Sequence, residues 1–252
     1  MKFQIIEAYK ANKDELFEII NNFDSNTDYV VRADRNSIKK VRFQGFMLNV
    51  KAFKIPNIVN QIAYRFFRQS KAERSFRFGQ KLLELGVLTP KPIAYFEFYN
   101  TFSFRKSYYL SEQIDYELTF RELITCPTYV NHEEILRAFT RFTFKLHQSQ
   151  VEFLDHSPGN TLIKKVNGEY QFYLVDLNRM IFKPLNFEMR MRNFARLSAS
   201  EDMIKIMSDE YANCYNKSYE DVLKLMSFYS KKFREKNLRK REMKKRLKFW
   251  KN

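Results

Sequence analysis

Residues 153–176 read FLDHSPGNTLIKKVNGEYQFYLVD, and this stretch decides the fold of the chain. A Pro-Gly pair marks an irregular loop, after which two runs of β-forming residues flank Asn167-Gly168. Asn-Gly favours a two-residue turn in which both residues have positive φ. The stretch therefore predicts a loop followed by a β-hairpin made of residues 161–165 and 169–176.

Three polar residues stand at the ends of this predicted hairpin. Asp155 and Asn160 precede its first strand, and Asp176 ends its second. Antiparallel pairing brings those ends together. Magnesium prefers oxygen ligands and usually takes one or two from the protein, which leaves room for substrate phosphates, while the remaining carboxylate can accept a proton. The pattern favours a magnesium-phosphate site; the alternative is that Asp155 and Asn160 only shape a turn.

The first hundred residues predict a small sheet with one main helix. Residues 29–32 and 41–53 are rich in β-formers and indicate a hairpin or a three-stranded sheet. Residues 93–98 and 107–113 predict two further strands. Ser70 begins a helix of about four turns for which Gly86 is a natural stop.

Beyond the sheet the chain is predicted to be mostly helical. Apolar residues at helical spacing indicate a helix over 132–150, and the chain from about Asn186 is also expected to be helical. We therefore predict an α+β fold with three segments: 1–114, 115–228 and 229–252.

The last segment carries most of the positive charge. The formal net charge is +16, and residues 229–252 hold twelve Lys or Arg and two Glu, which leaves +6 for the rest. Met243, Leu247 and Trp250 recur at helical spacing among these charges. A basic amphipathic helix on an acidic membrane is the favoured interpretation of residues 231–251. The alternatives are a solvated helix and, less favoured, a helix that binds nucleic acid.

The sequence contains no candidate for a membrane-spanning helix. No run approaches the roughly 18 apolar residues that a transmembrane helix needs, and the N-terminus is charged too early for a signal peptide. We therefore expect a cytoplasmic protein.

The stretch quoted first also carries a family resemblance. The spacing from Asp155 to Asn160, with a strand leading to Asp176, is typical of the protein-kinase-like superfamily. In detail, residues 154–163 (LDHSPGNTLI) and 174–179 (LVDLNR) resemble the bacterial lipopolysaccharide kinase family, with patterns Asp-x-x-Pro-Gly-Asn-x-Leu and Val-Asp-Leu-Asp-Arg. The resemblance covers about residues 40 to 200 and includes the stretches Val50-Lys51, 70–74 (SKAER), 86–92 (GVLTPKP) and 192–197 (RNFARL).

This resemblance implies a two-lobed protein-kinase-like fold that binds ATP and Mg²⁺. Lys51 would contact the ATP phosphates and pair with Glu73 on the helix of the β-rich N-terminal lobe. Asp155 would be the catalytic base, and Asn160 and Asp176 would hold magnesium. The acceptor would be Kdo or heptose in the inner core of lipopolysaccharide, so the lipid A-core glycolipid is the expected partner.

The chain departs from the kinase pattern at three places. Phe153 stands where kinase-like enzymes commonly have histidine, no glycine follows Asp176-Leu177, and Gly45 is the only glycine between Arg32 and Lys51. The alternative functions are a protein or small-molecule kinase of the same fold and a non-catalytic pseudokinase that binds membrane or RNA through its tail.

Individual residues also have competing interpretations. Glu73 stands at the third position of a capping box that begins at Ser70, so it has an alternative role in capping the helix. Lys54 is close enough to Lys51 in the sequence to be the alternative phosphate-binding lysine. His156 is more often a hydrogen-bonding or exposed loop residue than a substrate ligand. Arg179 either binds an anionic sugar or pairs with a nearby carboxylate.

Overall fold

The computed structural model describes residues 1–25, 29–32 and 36–249. Within these residues the strands are β1 (Lys2–Ile5), β2 (Tyr29–Arg32), β3 (Asn36–Phe43), β4 (Phe46–Phe53), β5 (Pro92–Tyr99), β6 (Phe104–Glu112), β7 (Leu118–Thr119), β8 (Val151–Phe153), β9 (Thr161–Val166), β10 (Glu169–Leu174) and β11 (Met180–Phe182). The α-helices are α1 (Lys13–Asn21), α2 (Ile58–Phe66), α3 (Lys71–Glu84), α4 (Phe120–Thr125), α5 (His132–Gln148), α6 (Phe187–Asn193), α7 (Glu201–Tyr215) and α8 (Tyr219–Phe249).

Internal contacts divide the chain into two compact units. The N-terminal unit is Met1–Asp115 with Asp176–Asn178, and the C-terminal unit is Tyr116–Val175 with Arg179–Asn252. The N-terminal unit contains most of the strands, so the predicted mixture of helix and strand with a sheet-rich N-terminal region is confirmed. Of the predicted segment boundaries, the one at residue 229 lies inside the continuous helix α8.

The N-terminal unit is built on a six-stranded antiparallel sheet. Its strand order is β1-β5-β6-β4-β3-β2. The predicted β-rich stretch 41–53 is not one strand, because Gln44 and Gly45, with φ of 45° and 83°, form a turn between β3 and β4. The core packs one face of the sheet against α1 through Leu16, Ile20, Leu48, Val50, Phe96 and Leu110.

Helix α3 follows the sequence prediction closely. The Ser70 hydroxyl accepts a hydrogen bond from the amide of Glu73 at 3.1 Å and so caps the first turn. Gly86, with φ of 70°, follows the end of the helix in the left-handed conformation that glycine adopts without strain. The prediction of one main helix in this region was incomplete, since α1 and α2 are also helical.

The C-terminal unit contains the predicted hairpin and is otherwise mainly helical. β9 and β10 pair from Thr161↔Leu174 to Val166↔Glu169, and the turn residues Asn167 and Gly168 both have positive φ, as predicted. The expected helix over 132–150 is α5. The core of the C-terminal unit contains Phe120, Phe139, Phe172, Phe194, Tyr211 and Met226.

Helix α8 extends the C-terminal unit into the basic segment. It is helical from Tyr219 to Phe249, and Met243 is exposed on it. The side chain of Leu247 and the whole of Trp250, which complete the predicted apolar stripe, lie outside the described residues. None of the helices described in 1–25 and 36–249 is long and apolar enough to cross a membrane.

Gly79 provides a test of how α3 packs on the sheet. A Cβ at this position would lie 2.6 Å from Cγ of Pro92, a ring atom that cannot swing away, and 3.3 Å from Leu177. We expect Gly79→Ala to lower the free energy of unfolding by about 1–2 kcal/mol, because overpacking costs up to about 3 kcal/mol and helix propensity returns only about 1 kcal/mol. Urea denaturation followed by circular dichroism measures this change.

The matched control is Glu84→Ala on the exposed face of the same helix, which should change stability by less than about 0.5 kcal/mol. A Gly79→Ala variant more stable than the wild type would show that α3 does not pack this closely.

Candidate active site

Lys51 and Asp176 form an ion pair within the N-terminal unit. The Lys51 Nζ donates to Oδ1 of Asp176 at 2.7 Å, although 125 positions separate the two residues. Lys51 lies in the central strand β4, where its neighbour Val50 points into the core. Alternation along the strand therefore turns Lys51 to the opposite face of the sheet. Lys54, the competing candidate, lies beyond the end of β4 and is exposed.

Asp176 has an uncommon backbone conformation. Its φ is 59°, in the left-handed region that few non-glycine residues occupy, although Asp tolerates it better than most. Its Oδ1 also accepts a hydrogen bond from the side-chain amide of Asn178 at 2.8 Å. Such a conformation costs about 1–3 kcal/mol and is typical of functional sites.

Glu73 does not pair with Lys51, so the expected Lys51–Glu73 ion pair is wrong for this structure. Its buried carboxylate instead binds Nζ of Lys2 at 2.7 Å and Nη2 of Arg77 at 2.9 Å. Lys2 reaches it because β1 pairs with β5 at the edge of the sheet, and β1 was not predicted. Partial burial lowers the pKa of Lys2, but the hydrogen bond to Glu73 and the charges of Tyr95, Glu73 and Glu97 together outweigh it, so the net shift is upward. The capping prediction holds for the Ser70 hydroxyl and the Glu73 amide.

Asp155 and Asn160 lie together in the loop between β8 and β9 of the C-terminal unit. The Asn160 side-chain amide donates to the Asp155 carbonyl at 2.8 Å, and the Val175 amide donates to the Asn160 carbonyl at 3.0 Å. With its nitrogen used in this way, Asn160 keeps its side-chain oxygen as an acceptor, which suits a hard cation. Among the described residues no three His, Cys, Asp or Glu side chains cluster as a metal site.

The predicted residues thus fall into two groups. Lys51 and Asp176 are in contact in the N-terminal unit, and Asp155 and Asn160 are in contact in the C-terminal unit. Asp176 directly follows Val175 in the chain. The joint action of Asp155, Asn160 and Asp176 at one metal stays a prediction.

Two arginines surround the Asp155 carboxylate. Nη2 of Arg196 donates to Oδ1 at 2.6 Å, and Nη1 of Arg179 lies 3.8 Å from Oδ2. Of the two possibilities for Arg179, pairing with a carboxylate is the one that the structure shows. Arg196 was not assigned a role from the sequence, although it lies in the stretch 192–197 that carries part of the family resemblance.

His156 is part of the core of the C-terminal unit. It is fully buried between the rings of Phe139 and Phe153, with centroid distances of 5.4 and 5.6 Å. Burial lowers the pKa of His156 to about 4, so the ring is neutral at pH 7. His156 therefore packs beneath the loop that carries Asp155 and is not exposed for contact with a substrate.

Comparison with known proteins agrees with the resemblance found in the sequence. Residues 54–229 match the family model described as the lipopolysaccharide kinase (Kdo/WaaP) family. A comparison with curated proteins found no match. Among solved structures, the chain is similar to one titled "WaaP in complex with acyl carrier protein", with a TM-score of 0.65 and 15% identity over 93% of this chain and 99% of that one.

The structural similarity shows that the chain shares the fold of WaaP. The family match begins after Lys51 and covers Glu73, Asp155, Asn160 and Asp176. The matched region is well over half of the 252 residues. The chain belongs to the lipopolysaccharide kinase (Kdo/WaaP) family.

Proposed function

We propose that this protein is an ATP- and magnesium-dependent kinase that phosphorylates Kdo or heptose in the inner core of lipopolysaccharide, at the cytoplasmic face of the inner membrane. The family match supports phosphotransfer to a lipopolysaccharide. The single observation that carries the chemistry is the Lys51–Asp176 pair, since a lysine and a carboxylate are the groups that bind the phosphates and the metal in kinases.

In the proposed nucleotide complex, the ion pair between Lys51 and Asp176 would open, and each residue would bind a new partner. Lys51 would donate to the ATP phosphates, and Asp176 would offer its carboxylate to magnesium. Asn160 would supply the second ligand through its side-chain oxygen. Magnesium neutralises charge on the transferring phosphoryl group, and the protein mainly supplies position. Glu73, with both Lys2 and Arg77 bound, has no direct contact with the nucleotide in this proposal.

Asp155 would remove the proton from the acceptor hydroxyl. Arg196 holds one oxygen of this carboxylate at 2.6 Å, while Arg179 is the ion partner of Oδ2 among the described residues, at the longer distance of 3.8 Å. The arginine contact orients the carboxylate, and Oδ2 is the oxygen that would accept the proton. The two arginines also bring positive charge beside the base, which would favour an acceptor with an anionic group such as the Kdo carboxylate.

The basic segment 231–251 would hold the enzyme on the anionic membrane that contains its acceptor. The described part of this segment is largely exposed, and only Glu235 and Glu242 interrupt its positive charge. Each Lys or Arg near an anionic surface contributes about 1 kcal/mol of attraction, which salt weakens.

The role of Asp155 can be tested by a change that keeps its shape. We expect Asp155→Asn to reduce phosphate transfer from ATP to Kdo-lipid A by about 10²–10⁴-fold, the usual contribution of a general base, while ATP binding stays close to that of the wild type. Transfer of labelled phosphate and calorimetric ATP titration give the two readouts.

The matched control is Asp202→Asn, which removes an exposed carboxylate of the same unit that pairs with Lys205. Its transfer rate should equal that of the wild type. An Asp155→Asn variant that kept the wild-type rate would exclude Asp155 as the base.

The role of Arg196 is tested through the kinetic constants. We expect Arg196→Ala to lower kcat, because Asp155 loses the contact that orients it, and to raise KM for the glycolipid acceptor by roughly 10–100-fold, since a charge-assisted hydrogen bond contributes about 1.5–3 kcal/mol. KM for ATP should stay unchanged. Arg141→Ala, which removes an exposed arginine bonded to Glu210, is the control. Equal effects on both KM values would argue that Arg196 only stabilises the fold.

A further inference from the structure

Helix α2 carries its apolar side chains on the outside of the N-terminal unit. Val59 and Phe67, the residue after the helix, are 72% and 83% exposed, and Ile58, Ile62 and Phe66 are also exposed. Ile58, Val59, Ile62 and Phe66, which lie within the helix, fall within about 100° of its circumference. We call these five exposed apolar residues the α2 stripe.

Other side chains of α2 attach the helix to strands β5 and β6 and to the segment that precedes it. The guanidinium of Arg65 lies over the ring of Tyr99 at 4.4 Å, and the ring of Tyr64 lies 5.6 Å from that of Phe104. The side-chain amide of Gln61 donates to the Pro56 carbonyl at 2.8 Å. These contacts set the rotation of the helix, so turning the α2 stripe inward would break them.

Along the sequence, the charged residues on either side of the α2 stripe are all positive. Between positions 54 and 72 the sequence contains Lys54, Arg65, Arg68 and Lys71 and no acidic residue. Lys54 and Arg68 are exposed at the two ends of the helix. An exposed apolar stripe between cations is the composition of a helix that lies in the plane of an anionic bilayer.

The same charges disfavour a second copy of this chain as the partner. In a twofold dimer the same patch meets itself, so the cations at the ends of α2 would face each other. An anionic lipid surface satisfies both features, because its acyl chains accept the apolar side chains and its phosphates bind the cations.

We propose that the α2 stripe docks on an anionic lipid bilayer, with Val59, Ile62 and Phe67 inserted at the boundary between headgroups and acyl chains and with Lys54 and Arg68 bound to lipid phosphates. This surface is distinct from the basic segment 231–251 and adds an apolar contact to that electrostatic one. Its test needs neither ATP nor a sugar acceptor, so its failure would leave the proposed kinase activity untouched.

The first measurement compares two variants that remove the same atoms from different surfaces. Val59→Ser/Phe67→Ser removes the two most exposed side chains of the stripe, and Val130→Ser/Phe228→Ser removes an exposed valine and phenylalanine of the C-terminal unit. We expect co-sedimentation with vesicles of phosphatidylethanolamine and phosphatidylglycerol to weaken at least about tenfold for the first variant and to stay unchanged for the second. Equal affinity of the two variants would overturn the proposal.

The second measurement places a fluorescent reporter on the stripe. The chain has a single tryptophan, Trp250, so Phe67→Trp/Trp250→Phe moves the signal to α2. On phosphatidylglycerol vesicles its emission should shift to the blue and be quenched by brominated acyl chains, and phosphatidylcholine vesicles should produce neither effect. Unchanged emission from the bound protein would overturn the proposal. The proposal would also be overturned if the only effect of Val59→Ser/Phe67→Ser were the loss of a dimer, as measured by light scattering.

Discussion

The ion pair between Lys51 and Asp176 is the interaction on which the rest of this site depends. It joins a central strand of the sheet to a residue 125 positions later, and Asp176–Asn178 belong to the N-terminal unit although the flanking residues belong to the other. Leu177 packs close to Gly79 of α3 and supports the same attachment. The left-handed backbone of Asp176 shows that this short segment is held against its local preference.

The loop that carries Asp155 is stabilised by different means. Its backbone is tied to the hairpin through Asn160 and Val175, and His156 packs beneath it as a neutral, buried ring. Arg196 then fixes one carboxylate oxygen of Asp155 from a separate turn. His156 packs in the core against Phe153, the residue that stands where kinase-like enzymes commonly have histidine.

Local signals predicted the hairpin, α3 and α5, because an Asn-Gly turn, a serine cap and helical periodicity each act within a few residues. The β3–β4 turn at Gln44-Gly45 was missed, since alternation continues on both sides of it. The partner of Glu73 could not be predicted, because it comes from β1, which pairs only through a distant strand. Arg196 was missed because its partner, Asp155, is distant in the sequence. Helix α2 was missed because its apolar residues do not face the core.

Lys51 and Asp176 are proposed to form the nucleotide site together, and each would replace its present partner when magnesium and ATP bind. Calorimetric titration of ATP into the wild type and into Asp176→Asn, with and without Mg²⁺, tests this most directly. We expect Mg²⁺ to tighten ATP binding to the wild type and the variant to lose this magnesium dependence. Absence of ATP binding, or wild-type affinity that does not change with Mg²⁺, would contradict it.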